Sequence, residues 1–378
     1  MTNKIYLPGL HGIRFFAALC VIIGHIEVFR FYYSLPSLGI ITKGFSELGV
    51  DIFFTLSGFL ITFLLLKENE IKQKISIKNF YIRRILRIWP LYFLIFFIGI
   101  FIFPLFTGYN FNHKISISLL YIFFLPHLAK VLFTMNYIIV ILWSIGVEEN
   151  FYLFFPWFFR ANNQRFIKAI LIFLFSFLFL KFIITYAAFQ DIPFKQLYKF
   201  FSDFFNHVLF ENMFIGSLAA FLYFNKFKII KKLQYSWITT ISIVLLLFFI
   251  VIPFGKITNY IGLDPIFAFI GTSSLYAILT VCVILKAIEK NKLSLFLELK
   301  IFRYLGKISY GLYVFHPLVL CLLYMLPKKI YGFNWFIQYL IVVFFTILLS
   351  SISYKYYESW FLKQKNMFSA IISDDNSK

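Results

Sequence analysis

The amino-acid sequence predicts an all-α integral membrane protein, a bundle of about ten transmembrane helices with one re-entrant or interfacial segment. Hydrophobic residues make up 61% of the 378 residues, whereas soluble globular proteins usually contain about 45–50%. Apolar runs near the roughly 20 residues that cross a bilayer recur along the whole chain. The runs are long and uninterrupted, which favours helices over barrel strands because a helix satisfies its own backbone polar groups.

Ten spans follow from the apolar runs, taken in chain order. We place them over residues 13–30, 47–66, 88–107, 137–159, 166–188, 205–224, 236–254, 264–285, 308–326 and 334–357. Another apolar run, residues 116–133, is interrupted by Pro126, His127 and Lys130, so we expect it not to cross fully. Residues 1–363 then form a single transmembrane domain, and residues 364–378 form a short polar cytoplasmic tail.

The formal net charge of +20 is concentrated in short loops between the predicted spans. This distribution follows the positive-inside rule and argues against nucleic acid as a partner. With the N-terminus inside, all basic clusters face the cytoplasm, so we expect a multi-pass protein with both termini cytoplasmic and contacts to anionic membrane lipid. The clusters comprise Lys67, Lys72, Lys74, Lys78, Arg83, Arg84 and Arg87; Arg160, Arg165 and Lys168; Lys226, Lys228, Lys231 and Lys232; and Lys286, Lys290, Lys292, Lys300, Arg303 and Lys307.

Two ionisable residues, Arg14 and His25, lie in the first predicted span. Ionisable side chains inside a bilayer are costly, so each marks a candidate functional site. They stand eleven positions apart, which puts them within about 20° of one helix face and roughly 16 Å apart along it. This layout is typical of a polar path through lipid. The alternative is that Arg14 only reaches the headgroups and His25 only bonds a neighbouring carbonyl.

Three further ionisable residues lie deep in later spans: Glu148, Glu149 and His316. The rise per residue puts His25 and the two glutamates at a similar depth, about 15–18 Å from the cytoplasmic ends of their spans. A carboxylate beside an imidazole fixes its tautomer and makes it a stronger base. We therefore expect one glutamate to orient His25 as a general base. The alternative is a buried polar network that only holds helices together.

Arg84 and Arg87 stand three residues apart at the start of the third span and so share one helix face. Arginine matches the geometry of phosphate, which predicts a phosphorylated cytoplasmic ligand. The alternative is a positive-inside anchor beside an interfacial Trp89. Asp51 either helps to hold an acceptor or caps its helix at the N-terminus, and both interpretations stay open. Ser57 indicates close helix packing rather than chemistry.

Five blocks of the sequence resemble the acyltransferase 3 family of bacterial membrane acyltransferases. They read GIRFFAALCVIIGH, GVDIFFTLSGFLIT, FYIRRILRIWPLY, LWSIGVEENFYLFFP and ISYGLYVFHP, stand in the family's order and cover residues 9–317. The resemblance implies an enzyme of the bacterial cytoplasmic membrane that takes an acyl group, usually acetyl, from cytoplasmic acetyl-coenzyme A without a metal. It delivers the group to a hydroxyl of an extracytoplasmic cell-surface glycan, such as lipopolysaccharide, or of a lipid-linked glycan.

Matched block by block, the resemblance also implies roles for single residues. Arg14 and His25 match the family's arginine-ten residues-histidine motif, with His25 as the essential histidine. Arg84 and Arg87 match its RxxR motif, which is associated with the coenzyme. Glu148 matches the acidic motif of the fourth span. Further candidates are Glu149, Asp51, Trp143, Ser144, Tyr152, Tyr310 and His316.

The resulting expectation is that the arginines bind the coenzyme's phosphates while His25, oriented by Glu148 or Glu149, removes the acceptor's hydroxyl proton. Some relatives carry a fused SGNH-type esterase domain, and we expect none here. Direct acylation and transfer through a separate extracytoplasmic acyl-handling protein both stay open. Two other classes are considered: a proton-coupled exporter of a glycan or lipid-linked sugar, and a scaffold in an envelope-assembly complex.

Overall fold

The computed structural model describes residues 3–38, 40–160, 163–190, 193–251, 265–326, 334–369 and 371–373, and helices make up nearly all of this part of the chain. The first group of helices comprises α1 (Leu10–Tyr32), α2 (Ile40–Lys72), α3 (Ile77–Phe97), α4 (Phe103–Thr107), α5 (Lys114–Ile122), α6 (Pro126–Leu132), α7 (Tyr137–Val140) and α8 (Trp143–Phe154). The second group comprises α9 (Asn163–Phe189), α10 (Lys195–His207), α11 (Phe210–Phe224), α12 (Lys228–Leu233), α13 (Ser236–Val251), α14 (Pro265–Ala287), α15 (Lys292–Leu297), α16 (Lys300–Lys307), α17 (Ser309–Tyr324), α18 (Trp335–Ser353) and α19 (Ser359–Met367). Short π-helical turns follow α3 and α18 (Ile98–Ile102 and Tyr354–Glu358), and a 3-10 turn follows α8 (Phe155–Arg160).

Two three-residue strands join the two ends of the chain. Strand β1 (Asn3–Ile5) pairs in parallel with β2 (Ile371–Ser373), with Asn3 opposite Ile371. The pairing brings both terminal segments to one face of the bundle, which agrees with the prediction that both termini share one side of the membrane. That this side is the cytoplasm stays a prediction. Residues 370 and 374–378 of the predicted tail lie outside the described residues.

Seven helical segments of the described residues are long and apolar enough to cross a membrane. They are Leu10–Tyr32, Gly44–Lys72, Ile77–Thr107, Tyr137–Phe159, Arg165–Phe189, Lys195–Phe224 and Trp335–Met367. An eighth exists if α16 and α17, which meet at 70°, form one broken span. Shorter apolar helices, Ser236–Ile250 and Gly271–Ala287, occupy the seventh and eighth predicted spans, whose residues 252–254 and 264 lie outside the described ranges. The chain is therefore a multi-pass membrane protein, while the count of ten stays a prediction.

The segment 116–133 is divided between α5 and α6, of nine and seven residues. At about 1.5 Å per residue neither helix can cross a hydrocarbon core of about 30 Å. Pro126 begins α6, and the helix packs against α8 and α10 with Pro126 and His127 buried. This arrangement agrees with the prediction that the segment enters or lies on the membrane without crossing it.

Helix α2 lies at the centre of the bundle, packed along α1 on one side and α11 on the other. The crossing of α2 and α11 depends on Gly58 and Gly216. A Cβ atom at either glycine would overlap a backbone carbonyl of the facing helix. Close backbone approach of this kind holds helices together in lipid, where the solvent gives little hydrophobic driving force. It fixes α1, α2 and α11 as the frame of the site.

A buried ion pair joins α9 to α11. The distance between Lys181 Nζ and Glu211 Oε1 is 2.7 Å, and the two side chains are 1% and 0% exposed. We expect Lys181→Met to lower the free energy of unfolding by about 3–5 kcal/mol, because it leaves the Glu211 carboxylate buried without its cation. Lys67→Met is the matched control, since its partially exposed pair with Glu70 belongs to a class worth about 0–1 kcal/mol. Melting temperatures in maltoside micelles check this, and equal shifts for the two variants would contradict it.

Candidate active site

A cavity of about 100 Å³ lies between α1, α2, α3, α8 and α17. It is lined by all three arginines that the sequence assigns to a phosphorylated ligand, Arg14, Arg84 and Arg87. Glu148 lines the same cavity, while Glu149 is not among its lining residues. Other lining residues include Ser57, Ser144, Tyr152, Tyr310 and Tyr313.

Arg84 and Arg87 reach the cavity from one face of α3, as their spacing predicts. The guanidinium carbon of Arg84 lies 5.2 Å from the centre of the Tyr152 ring. Its Nε is buried and has no hydrogen-bond partner among the described residues. Buried donors are nearly always satisfied, so this group is available to an incoming ligand.

Arg83, the neighbour of Arg84, points away from the cavity. It donates to Glu68 Oε2 at 2.7 Å and to the Phe368 carbonyl at 2.9 Å. Arg83 therefore ties α3 to α2 and to the C-terminal segment. The helix period alone does not separate these arginines, because Arg83 and Arg87 stand four residues apart. The bonds to Glu68 and Phe368 direct Arg83 away from the cavity.

Glu148 accepts a hydrogen bond from Ser57 Oγ at 2.6 Å. Its charge also interacts with those of Arg14 and Arg84. Ser57 also lines the cavity, so it adds a contact at the candidate site to the helix packing that the sequence predicts. The sequence signal that could have identified it is its place in a matched block.

Glu149 points in another direction and accepts a hydrogen bond from Trp89 Nε1 at 2.8 Å. Trp89 is therefore tied to a buried carboxylate as well as lying near the start of a span. The prediction of a plain interfacial anchor at Trp89 is incomplete. Of the two adjacent glutamates, only Glu148 faces the cavity.

His25 pairs with His316 and not with a glutamate. The distance between His25 Nδ1 and His316 Nε2 is 2.8 Å, and the rings stack with centroids 5.0 Å apart. No carboxylate bonds His25 among the described residues, so the predicted orientation by Glu148 or Glu149 is wrong. The predicted depths put His25 and the glutamates near one level, but the direction in which each side chain points gives them different partners.

The hydrogen bonds of His316 fix the tautomers of both rings. His316 Nδ1 lies 3.3 Å from the Leu312 carbonyl oxygen, which can only accept, so Nδ1 carries a proton. In a neutral ring, His316 Nε2 must then accept, and the donor is Nδ1–H of His25. This arrangement leaves the lone pair on His25 Nε2 available, which is the state that a general base requires.

Tyr313 connects the arginine cavity to the histidine pair. It lines the cavity, and its ring centroid lies 6.0 Å from that of His316. Its hydroxyl is 2.6 Å from Ser144 Oγ, while the neighbouring Tyr310 donates to the Ile88 carbonyl at 2.8 Å. Ser144 and Tyr310 were predicted from the sequence, but Tyr313 was not. Its position between Tyr310 and His316 in one block is the signal that could have identified it.

Asp51 lies well inside α2, so the prediction that it caps the helix is wrong. It is 2% exposed and accepts a hydrogen bond from Asn212 on α11. It does not line the cavity. A role in holding an acceptor stays a prediction.

Trp143 begins α8 and also lies outside the cavity lining. Lys130 Nζ lies 4.3 Å from its ring centre, and the His207 ring centroid lies 5.2 Å from it. In the sequence, Lys130 was recognised only as a residue that interrupts an apolar run, and His207 was not predicted as a site residue. The contacts bring together α6, α8 and α10, which are too far apart in sequence for a local pattern to reveal.

Comparisons with known proteins identify the family of the chain. A family profile described as an acyltransferase domain matches residues 7–355. The chain is 26% identical over 382 residues to "O-acetyltransferase OatA" of Staphylococcus aureus, covering 95% of this chain and 58% of that protein. It is 27% identical over 384 residues, with the same coverage, to "Putative O-acetyltransferase SACOL0978" of Staphylococcus aureus. No solved structure shows a significant match.

The chain thus spans about three fifths of the length of these relatives. The family match, by contrast, covers nearly the whole chain and includes every candidate residue described above. The chain therefore belongs to the acyltransferase 3 family.

Proposed function

We propose that this membrane O-acyltransferase moves an acetyl group from cytoplasmic acetyl-coenzyme A to a hydroxyl of an extracytoplasmic glycan or lipid-linked glycan. The observation that carries the proposal is the continuity of the arginine cavity with the His25–His316 pair through Tyr313. Arg14 and His25 stand on the same helix, roughly 16 Å apart along its axis. One end of this path suits phosphate and the other suits proton transfer. The proposed setting is the bacterial cytoplasmic membrane, with the arginines toward the cytoplasm.

The donor end uses Arg14, Arg84 and Arg87 to bind the phosphates of the coenzyme. Guanidinium groups form charge-assisted and often bidentate hydrogen bonds with phosphate oxygens. Glu148 then acts on the arginines rather than on His25, because its charge interacts with those of Arg14 and Arg84. Its bond from Ser57 fixes the carboxylate. Glu148 is in this proposal a positioning residue of the donor site.

At the other end, Nε2 of His25 accepts the proton of the acceptor hydroxyl as that oxygen attacks the thioester carbonyl. The new bond is the ester C–O bond, and the bond that breaks is the thioester C–S bond. The proton on His25 then passes to the leaving sulfur, which gives the coenzyme thiol. General acid–base catalysis of this kind contributes roughly 10²–10⁴-fold. His316 holds His25 in the tautomer that can accept the proton.

His316→Leu should lower kcat for acetyl transfer by about 10²-fold, because His25 loses the acceptor that fixes its tautomer. His316→Gln should retain more activity, since its amide oxygen can accept from Nδ1–H of His25. KM for acetyl-coenzyme A should change little in both. The measurement is steady-state turnover with its pH–rate profile for the wild type and both variants. Equal losses in the two variants, with an unchanged pH profile, would assign His316 a purely structural role.

The proposed function is tested by adding coenzyme A to the purified protein and following its melting temperature. A ligand that binds only the native state stabilises it, by about 2.7 kcal/mol at a hundred times Kd. We expect coenzyme A to raise the melting temperature and pantetheine, which lacks the phosphates, to raise it far less. The competing proposal, a proton-coupled exporter, has no need of the coenzyme. Absence of both stabilisation and acetyl-coenzyme A turnover would favour the exporter.

The acceptor stage is a proposal on which the relatives bear only indirectly, because this chain spans about three fifths of their length. Direct transfer to the glycan and transfer through a separate extracytoplasmic acyl-handling protein fit the geometry equally. In both cases the hydroxyl must approach His25 from the end of the bundle away from the arginines. No metal is needed in this mechanism, since His25 supplies the base and the thioester supplies the activated acyl group.

A further inference from the structure

A group of basic side chains lies at the start of α8, where the charge of Lys130 reaches His25. It consists of Lys130 on α6 and His207 on α10, which both contact Trp143, and of His127 on α6, whose ring contacts Phe204 of α10, and we call it the basic cluster. Helix α6 packs against both α8 and α10. Three elements that are distant in sequence therefore each contribute to one small region.

Trp143 contacts two members of the basic cluster, Lys130 and His207. Lys130 Nζ lies 4.3 Å from the Trp143 ring centre, and the His207 ring meets Trp143 edge to face at 5.2 Å. His207 Nδ1 donates to the Asp203 carbonyl at 2.8 Å, so Nε2 of the neutral ring is an acceptor and His207 packs against Trp143 without offering a donor. The charge of Lys130 also interacts with both His207 and His25. The cluster is thus within electrostatic reach of the proposed base.

Two members of the cluster lack hydrogen-bond partners among the described residues. His127 is 3% exposed, and its buried Nδ1 makes no hydrogen bond there. Lys130 is partly buried and has no carboxylate within ion-pair distance in the same part of the chain. Its charge interacts with that of Glu47, an exposed residue of α2. Buried donors without partners are costly, which points to a ligand that supplies acceptors.

We propose that the basic cluster binds an anionic substituent, a phosphate or a carboxylate, of the sugar that accepts the acyl group. The Lys130 ammonium offers three donors to one anion, and His127 Nδ1, which has no partner among the described residues, can offer another. Charge-assisted hydrogen bonds are the stronger kind. An anion bound there would hold a neighbouring hydroxyl of the same sugar toward His25. The inference rests on the proposed function, and it names the acceptor class as an anionic rather than a neutral glycan.

The arginine cavity could also bind an anion, so the test must keep it filled. Saturating coenzyme A keeps that cavity occupied. Equilibrium dialysis in neutral maltoside micelles then measures the Kd of radiolabelled glucose 1-phosphate, glucuronate and glucose. We expect the two anionic sugars to bind at least tenfold more tightly than glucose.

Lys130→Met should raise the Kd of glucose 1-phosphate at least tenfold and remove the preference over glucose. The matched control is Lys114→Met, which removes an exposed lysine of the preceding helix α5 that lies 4.7 Å from the Phe101 ring. This control should keep the preference. Elution volume and melting temperature show whether each variant is folded, and Lys130→Arg, which keeps the charge, should retain most of the affinity.

Absence of a preference in the wild type, or its persistence in Lys130→Met, would overturn the inference. A lipid phosphate in place of the sugar anion would show as competition, with dihexanoyl phosphatidylglycerol raising the Kd of glucose 1-phosphate, and would overturn the glycan assignment. Loss of the proposed function is a separate result. It would appear as no acetyl-coenzyme A turnover in wild-type protein that still prefers the anionic sugars.

Discussion

His25→Ala should reduce acetyl-coenzyme A turnover by at least about 10²–10⁴-fold, because the variant removes the only proposed base. His316 Nε2 also carries a lone pair, but it lies 2.8 Å from the position of His25 Nδ1, the side of the lost ring away from its Nε2, so it is not placed to accept the hydroxyl proton there. The measurement is release of coenzyme A thiol by the detergent-purified protein, with and without added glycan. Stabilisation by coenzyme A should persist, because the arginine cavity does not include His25.

The matched control for this experiment is His113→Ala. His113 is exposed at the start of α5, where its ring contacts Phe133 at 5.1 Å. It should turn over like the wild type. Wild-type-like turnover in His25→Ala would remove the histidine from the chemistry and leave the arginine cavity as a binding site alone.

Arg84→Ala and Arg87→Ala should each raise KM for acetyl-coenzyme A about ten- to hundredfold. The physical reason is the loss of a charge-assisted hydrogen bond to phosphate, which contributes about 1.5–3 kcal/mol. Both guanidinium groups line one cavity, and Arg84 Nε has no other hydrogen-bond partner among the described residues. Initial rates over a range of acetyl-coenzyme A concentrations give KM and kcat separately.

Arg83→Ala separates coenzyme binding from general loss of basic charge. Arg83 stands on the same helix but is bonded to Glu68 and to the Phe368 carbonyl, away from the cavity. We expect it to lower stability with KM little changed. If all three variants raise KM equally, the cavity arginines act only through bulk charge and topology, and the proposed coenzyme site fails.

Much of the candidate donor site could be predicted from local sequence. The three-residue spacing of Arg84 and Arg87 puts them on one helix face, and the structure confirms that both line the same cavity. The interruption of residues 116–133 by proline and charge likewise predicted a segment that does not cross, and α5 and α6 are both too short. These predictions succeed because helix period and bilayer thickness act within a single segment.

The partner of His25 could not be predicted in the same way. Depth along the membrane is one coordinate, and it placed His25, Glu148 and Glu149 near one level. The direction of each side chain around its helix depends on how α1, α8 and α17 are rotated against one another. That rotation turns Glu148 to Ser57 and brings His316 to His25.

The sequence alone is enough to predict a multi-pass helical membrane protein and to mark the arginines and histidines of the candidate site. These properties follow from apolar run length, charge position and helix period, all of which are local. Only the tertiary structure decided that His25 pairs with His316, that Ser57 holds Glu148, and that Lys130, Trp143 and His207 meet. Such contacts join residues far apart in the chain, and they depend on helix rotation and close backbone packing, which no single segment encodes.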